Sequence, residues 1–315
     1  MTKKIAFLFP GQGSQSVGMG KDLYDSYPAA KEIFDTADKV LGKSISNICF
    51  CGPEDDLKLT INTQPAIVTT SIAALEALKS EFDITPTCTA GHSLGEYCAM
   101  YASGVMNLET TLKAIQKRAN LMSETKGGAM AAILNAPEGS LEKALEEASS
   151  VGYVDVANYN SPVQVVITGD EAAVSKAGEL LSAAGARRVV PLAVSGAFHS
   201  KYMEQAGEKF KEFVSELEIN NAQVPVFTNV DASATILGAE FKNKIPRQIY
   251  SSVQWTKTIQ NMIKDGVDTF IEIGPGKVLS GLVRKIEPNV TTYNIYDKNS
   301  LEEVVSSLKK ELTKV

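Results

Sequence analysis

The chain has 315 residues, 44% of them hydrophobic and 22% charged, with 7% aromatic. That is a globular profile, long enough for one large domain or for a large domain carrying a small one. The net charge of −6 counts against nucleic acid as a partner, because a surface that tracks phosphates needs a basic excess.

No apolar run approaches the roughly 20 residues that span a bilayer, so no membrane association is expected. Met1-Thr2-Lys3-Lys4 leads straight into a short strand, without the apolar segment and cleavage site of a secretory leader. Cys49, Cys51, Cys88 and Cys98 make no disulfide framework, and Cys49-x-Cys51 lacks the second pair of a zinc site. A reduced, cytoplasmic protein without a bound metal is expected.

Lys4 to Phe9 is a continuous apolar run, the mark of a strand buried on both faces. It stops at Pro10-Gly11-Gln12-Gly13-Ser14-Gln15. This loop lacks the third glycine of a dinucleotide fingerprint and the Gly-Lys-Ser/Thr of a phosphate loop. It reads better as a ligand-facing loop at the carboxyl end of a central strand. A helical region is predicted over 22–41, then a polar connection through Gly52-Pro53-Glu54-Asp55. Thr63-Gln64-Pro65 is expected to open the next helix, with its proline in the first turn.

An extended stretch (85–90) then meets Gly91-His92-Ser93-Leu94-Gly95, and a helix-compatible stretch follows (94–103). Gly-x-Ser-x-Gly between a strand and a helix is the pattern of a nucleophile elbow. The glycines let backbone and substrate approach. The helix start aims free N–H groups at the oxyanion that attack on an acyl carbonyl creates. The next helix (108–123) carries Leu112, Ile115, Ala119 and Met122 on one face, with Arg118 roughly 40° off that stripe from Met122. An arginine there either snorkels or offers its guanidinium fork to a carboxylate.

From Gly127 the texture changes to strand (130–134), helix (137–148), strand (153–157), strand (163–168), helix (171–184) and strand (187–192). This β-α-β-β-α-β order predicts a ferredoxin-like subdomain over 127–194. It is inserted between 1–126 and 195–315, which form the catalytic core. Ser195-Gly196-Ala197-Phe198-His199 follows, opening a long helix to about 217. The rest alternates strand (224–229), helices (241–250 and 256–264), strand (269–273), the turn Gly274-Pro275-Gly276-Lys277, a helix, a strand (291–295) and a helix (301–312). The fold class is therefore α/β, with a parallel sheet in the core.

A serine hydroxyl is a poor nucleophile until a base within hydrogen-bond reach takes its proton. The chain has two histidines. His92 adjoins Ser93 in a tight turn, where neighbouring side chains diverge, so His199 is the candidate base. Asp155 and Asp170 fall between Ser93 and His199 in the chain order of the usual hydrolase, but both look like strand or turn residues. A backbone or amide carbonyl is the alternative orienter. The residues alone thus point to acyl transfer through a serine ester, with the acceptor open.

Six segments, Phe9-Pro-Gly-Gln-Gly-Ser-Gln15, Gly91-His-Ser-Leu-Gly-Glu-Tyr97, Asn158-Tyr-Asn-Ser-Pro162, Gly196-Ala-Phe-His199, Val253-Gln-Trp255 and Glu272-Ile-Gly-Pro-Gly-Lys277, resemble in order the motifs of malonyl-CoA:acyl carrier protein transacylases. The match covers nearly the whole chain. It implies an α/β-hydrolase-like core with a ferredoxin-like insert, Ser93 as the nucleophile that takes malonyl from coenzyme A, and His199 as general base and then acid. It also implies an oxyanion hole from the backbone N–H groups of Gln12 and Leu94, Arg118 pairing with the malonyl carboxylate, and the Gln254 main-chain carbonyl holding His199. Asn160 would support the substrate site from the insert, and Phe198 would crowd the substrate's α-carbon. The acceptor implied is the phosphopantetheine thiol of acyl carrier protein, with coenzyme A released, no bound cofactor and a monomeric enzyme. Arg187, Arg188, Lys201, Arg284 and Lys285 are possible contributors to a carrier-docking patch. Rival readings are a serine esterase or thioesterase with water as acceptor, an acyltransferase of a polyketide pathway, and a catalytically silent carrier-docking protein.

Overall fold

Ten strands are present among the described residues, 3–194 and 196–312 of a computed structural model. In chain order they are β1 (Ile5–Phe9), β2 (Cys88–Gly91), β3 (Ala129–Leu134), β4 (Val154–Ser161), β5 (Gln164–Gly169), β6 (Arg188–Pro191), β7 (Val226–Phe227), β8 (Ala234–Thr235), β9 (Thr269–Ile273) and β10 (Thr291–Ile295). Ser195, the first residue of the predicted segment 195–315, lies outside the described residues.

The larger sheet has the order β10-β9-β1-β2-β7-β8. Its strands are parallel except β8, which pairs antiparallel with β7. Every residue of β1, β2 and β9 is buried, as expected for strands covered on both faces. From β1 the chain moves to β2 on one side and later to β9 on the other. The carboxyl ends of β1 and β2 therefore flank the point where strand order reverses, the place where open α/β sheets bind ligands. The register sets Phe9 beside Gly91, so the loops after these two strands face each other.

The second sheet is antiparallel, in the order β4-β5-β3-β6. Helices Ser140–Ala148 and Glu171–Ala184 pack with it around a separate apolar cluster that includes Ile133, Ile167, Val174 and Leu181. This is the connectivity of a ferredoxin-like unit. It meets the core where Val253 N–H donates to Ala157 O (2.8 Å) and Tyr159 N–H to Val253 O (2.9 Å).

Four local expectations need correction. The helical region 22–41 is two helices, Lys21–Ser26 and Pro28–Leu41, because Tyr27 before a proline takes an extended conformation. The polar connection holds short helices Ile45–Cys51 and Glu54–Lys58. The helix expected to open at Thr63 spans Thr60–Glu81, with Pro65 in its interior. Proline there removes the N–H that would reach the Ile61 carbonyl. That carbonyl instead accepts Lys43 Nζ (3.1 Å) and Gln116 Nε2 (3.3 Å). After His199 the chain makes a 3-10 turn (Lys201–Met203) before the helix Glu204–Ser215.

Candidate active site

The turn after β2 holds Ser93 at φ 50°, a left-handed conformation that costs a non-glycine residue on the order of 1–3 kcal/mol and persists only where its surroundings hold it. The two flanking glycines are required by space. A Cβ on Gly91 would lie 1.9 Å from the Gly95 carbonyl carbon, and one on Gly95 would lie 2.2 Å from Phe9 O. Asn229, just beyond β7, clamps the turn. Its Oδ1 accepts the Ser93 N–H (2.8 Å), its Nδ2 donates to Gly91 O (2.7 Å), and its own N–H donates to Glu96 Oε2 (2.6 Å). Gln248 Nε2 donates to Ser93 O at 2.7 Å.

Ser93 Oγ lies 2.8 Å from His199 Nε2. On the far side of the ring, Nδ1 sits 3.0 Å from Gln248 O and 3.1 Å from Ser251 O. Carbonyls only accept, so this network assigns the proton to Nδ1 and leaves the Nε2 lone pair for the serine proton. Burial, the Arg118 charge and His92 push His199 down to about 3, so the ring is a neutral base through the physiological range. The orienting carbonyls correct the expectation for Gln254. Its carbonyl accepts the Thr258 N–H, its N–H donates to Asn229 O, and it caps the helix Trp255–Lys264. Neither Asp155 nor Asp170 reaches the imidazole. Asp155 bonds the Val156 N–H, and Asp170 holds the Tyr153 N–H and the Tyr202 hydroxyl.

Arg118 is 1% exposed. It departs from the apolar stripe because its guanidinium enters the site. Nη1 donates to Gln64 Oε1 (2.7 Å), and Nη2 to Ser93 Oγ (3.0 Å) and Gln248 Oε1 (3.1 Å). The Tyr97 ring centroid is 5.7 Å away. Among the described residues no carboxylate lies within ion-pair distance of it. Five of the sequence-predicted residues thus fall into one place. A cavity of about 270 Å³ is lined by Gln12, Ser93, Arg118, Phe198 and His199 together with His92. Leu94 is buried beside it, where the helix Gly95–Ala102 begins.

Asn160 is the second correction. It is absent from the lining, which takes Asn158 from the same strand. Asn160 Oδ1 instead accepts from His92 Nε2 at 2.7 Å. The His92 ring also packs edge-on against Trp255, centroids 5.5 Å apart. His92 is therefore a fixed wall of the site and not its base. Sequence reasoning missed Gln64, Asn158, Asn229 and Gln248 as functional residues. Their types are common, and only Gln64, a polar residue in a helix otherwise apolar or small on most faces, carried a local signal. No group of three or more potential metal ligands is found among the described residues.

The family described as acyl transferase domain matches residues 6–315. The malonyl CoA-acyl carrier protein transacylase of Bacillus subtilis strain 168 is 46% identical over 312 residues, 98% of each chain. The protein of that name from Escherichia coli K12 is 39% identical, covering 95% of this chain and 97% of its own. The crystal structure of the Clostridium perfringens transacylase superposes with a TM-score of 0.94 at 39% identity, over 98% of each chain. A malonyl-transacylase solved in complex with a type II PKS acyl-carrier protein gives 0.94 at 35% identity, over 97% of this chain and 100% of its own.

Proposed function

We propose that this member of the acyl transferase family carries out its transfer of malonyl from malonyl-CoA to acyl carrier protein through an ester on Ser93. The observation that carries this reading is the convergence on Ser93 Oγ of a neutral imidazole at 2.8 Å and a buried guanidinium at 3.0 Å. The imidazole activates the hydroxyl, and the guanidinium selects a substrate with a free carboxylate.

His199 Nε2 takes the Ser93 proton as Oγ attacks the thioester carbonyl. The N–H groups of Gln12 and Leu94 receive the oxyanion, since one loop lines the cavity and the other residue starts the helix behind the nucleophile. The tetrahedral adduct collapses, the C–S bond breaks, and the coenzyme A sulfur leaves with the proton from His199. In the return half, the phosphopantetheine thiol gives its proton to His199 and attacks the ester, and Ser93 leaves reprotonated. Two carbonyls hold the Nδ1–H throughout. They fix the tautomer but stabilise imidazolium less than a carboxylate would.

Arg118 meets the malonyl carboxylate. Burying that charge unpaired costs several kcal/mol, and a guanidinium fork offsets the cost. Acetyl leaves the fork unmatched. Phe198 faces the same cavity and limits bulk at the α-carbon. We read 127–194 as an inserted subdomain, supported by its separate sheet and apolar cluster, within a cytoplasmic enzyme whose four cysteines are free thiols.

Intact-mass measurement after brief exposure to malonyl-CoA tests the scheme. A malonyl-sized adduct is expected, absent in Ser93→Ala and discharged faster by carrier protein than by water. An adduct retained by Ser93→Ala would overturn the assignment of the nucleophile, and one that water clears as fast as carrier protein would indicate a hydrolase.

A further inference from the structure

Arg118 is a fully buried cation whose partners, Gln64 Oε1, Gln248 Oε1 and Ser93 Oγ, are all uncharged. One buried carboxylate lies in the same region. Glu96, in the first turn of the helix behind the nucleophile, is 1% exposed. Its Oε2 accepts the N–H of Asn229, the residue that clamps the Ser93 turn, while its Oε1 has no hydrogen-bond partner among the described residues. The groups that face it are Arg118 from helix Leu108–Glu124, the Gln248 amide from helix Gly238–Gln248, and the Asn229 N–H and Asp231 from the turn after β7. Tyr97 adjoins it on its own helix. Asp231 already has a cation, Lys244 Nζ at 2.9 Å, so Arg118 is the one positive group among those facing Glu96.

We propose that Glu96 is the resident counter-charge of Arg118 as well as a positioning residue for the Ser93 turn, and that a malonyl carboxylate arriving on Arg118 drives a proton from solvent onto Glu96. Two anions sharing one buried cation repel, and the group that can neutralise does so. The malonyl carboxylate stays ionised because it receives the guanidinium fork. Glu96 is poised to respond: burial pushes it up to about 7, against the opposing pull of the Asn229 N–H, Arg118 and Gln248. Once protonated, its free oxygen becomes a donor inside the site. His199, held at about 3, does not compete for the proton near neutrality. By linkage, malonyl-CoA binding weakens as pH rises through this range.

This inference rests on Arg118 being the carboxylate clamp. Its test is calorimetric titration of the full-length Ser93→Ala protein at pH 7.5, in buffers of differing ionisation enthalpy, with malonyl-CoA and with acetyl-CoA. The expected result is an uptake of about three quarters of a proton more for malonyl-CoA than for acetyl-CoA, which follows from a carboxyl near 7, about one quarter protonated at this pH, being driven to its neutral form. The excess should vanish in Ser93→Ala/Glu96→Gln, where the amide keeps an acceptor for Asn229. Equal uptake for the two ligands, or an excess that survives Glu96→Gln, overturns the proposal. The ligand comparison in Ser93→Ala decides by itself if the double variant does not fold. Malonyl-CoA binding without excess uptake sinks this inference alone, whereas no malonyl-CoA binding at all sinks the functional reading and this inference with it.

Discussion

Gln248 joins three parts of the site, and Gln248→Ala separates them. Its main-chain carbonyl orients His199 and survives the substitution. Its side chain is lost, and with it the acceptor for Arg118 Nη2 at 3.1 Å and the donor to Ser93 O at 2.7 Å. A hydrogen bond to a charged group contributes about 1.5–3 kcal/mol and a neutral one about 0.5–1.5. Ser93 O keeps the Glu96 N–H at 3.1 Å, so the second loss falls at the low end. The variant is expected to be about 2–4 kcal/mol less stable in urea denaturation. The kinetic consequence is selective. Arg118 keeps Gln64 as its one remaining amide anchor, which lets the guanidinium leave the malonyl geometry. Losing about 1.4–2.7 kcal/mol of its interaction lowers kcat/KM for malonyl transfer roughly 10–100-fold. Acetyl transfer, which uses Ser93 and His199 but not the guanidinium fork, should change by less than about 3-fold. Rapid-quench acylation with labelled malonyl-CoA and acetyl-CoA measures both. An equal loss for the two donors would refute the reasoning and place the effect in the nucleophile turn or the base.

Arg118→Ala should reduce malonyl transfer and relatively favour acetyl; an unchanged malonyl-to-acetyl preference in steady-state kinetics would count against the clamp. Gly95→Ala should abolish folding or acylation, because its Cβ would lie 2.2 Å from Phe9 O and 2.7 Å from Pro10 O, both backbone atoms; near-native melting and acylation would show that the turn has more room than this. Acid stability should show two opposed slopes. His199 falls from the ordinary 6.5 to about 3, so the unfolded chain protonates first and stability present above 6.5 is lost as pH falls toward 3. Glu96 rises from 4.5 to about 7, so its contribution is full below 4.5 and is lost as pH rises through 7. Between 4.5 and 6.5 the two offset. In Glu96→Gln the His199 slope, approaching about 1.4 kcal/mol per pH unit, should emerge from 6.5 downward, and coincident wild-type and Glu96→Gln profiles in urea melts across pH would rule out that account.

Among the groups proposed to touch substrate, Ser93 was legible in the residues themselves because it lies between glycines that no other residue can replace. The glycine-rich loop of Gln12 and the stripe edge of Arg118 marked places only, and their roles came from the family resemblance. His199 stood out because the chain has so few histidines. The sheet was legible for a similar reason. Strands buried on both faces read as apolar runs, and β7 lies within the predicted stretch 224–229, whereas the two-residue strand β8 is too short to show any period.

The positioning groups were not legible, and the error over Gln254 shows why. A main-chain carbonyl that orients a histidine has no side-chain signature, since every residue carries one. Which carbonyl faces His199 depends on where the helix Gly238–Gln248 ends and how the chain turns after it. At Gln254 the next helix has already begun and takes that carbonyl for itself. Gln64, Asn229, Gln248 and Glu96 come from four separated stretches and share only burial, each being 1% exposed. A buried polar side chain is costly unless it is bonded. Here the bonds lead to one another and to the nucleophile turn: Glu96 holds Asn229, Asn229 holds Ser93, Gln248 holds Ser93 and Arg118, and Gln64 holds Arg118. The network is thus a property of tertiary packing. It keeps a serine in a left-handed turn and a guanidinium dry beside it, so that the site is assembled before substrate arrives.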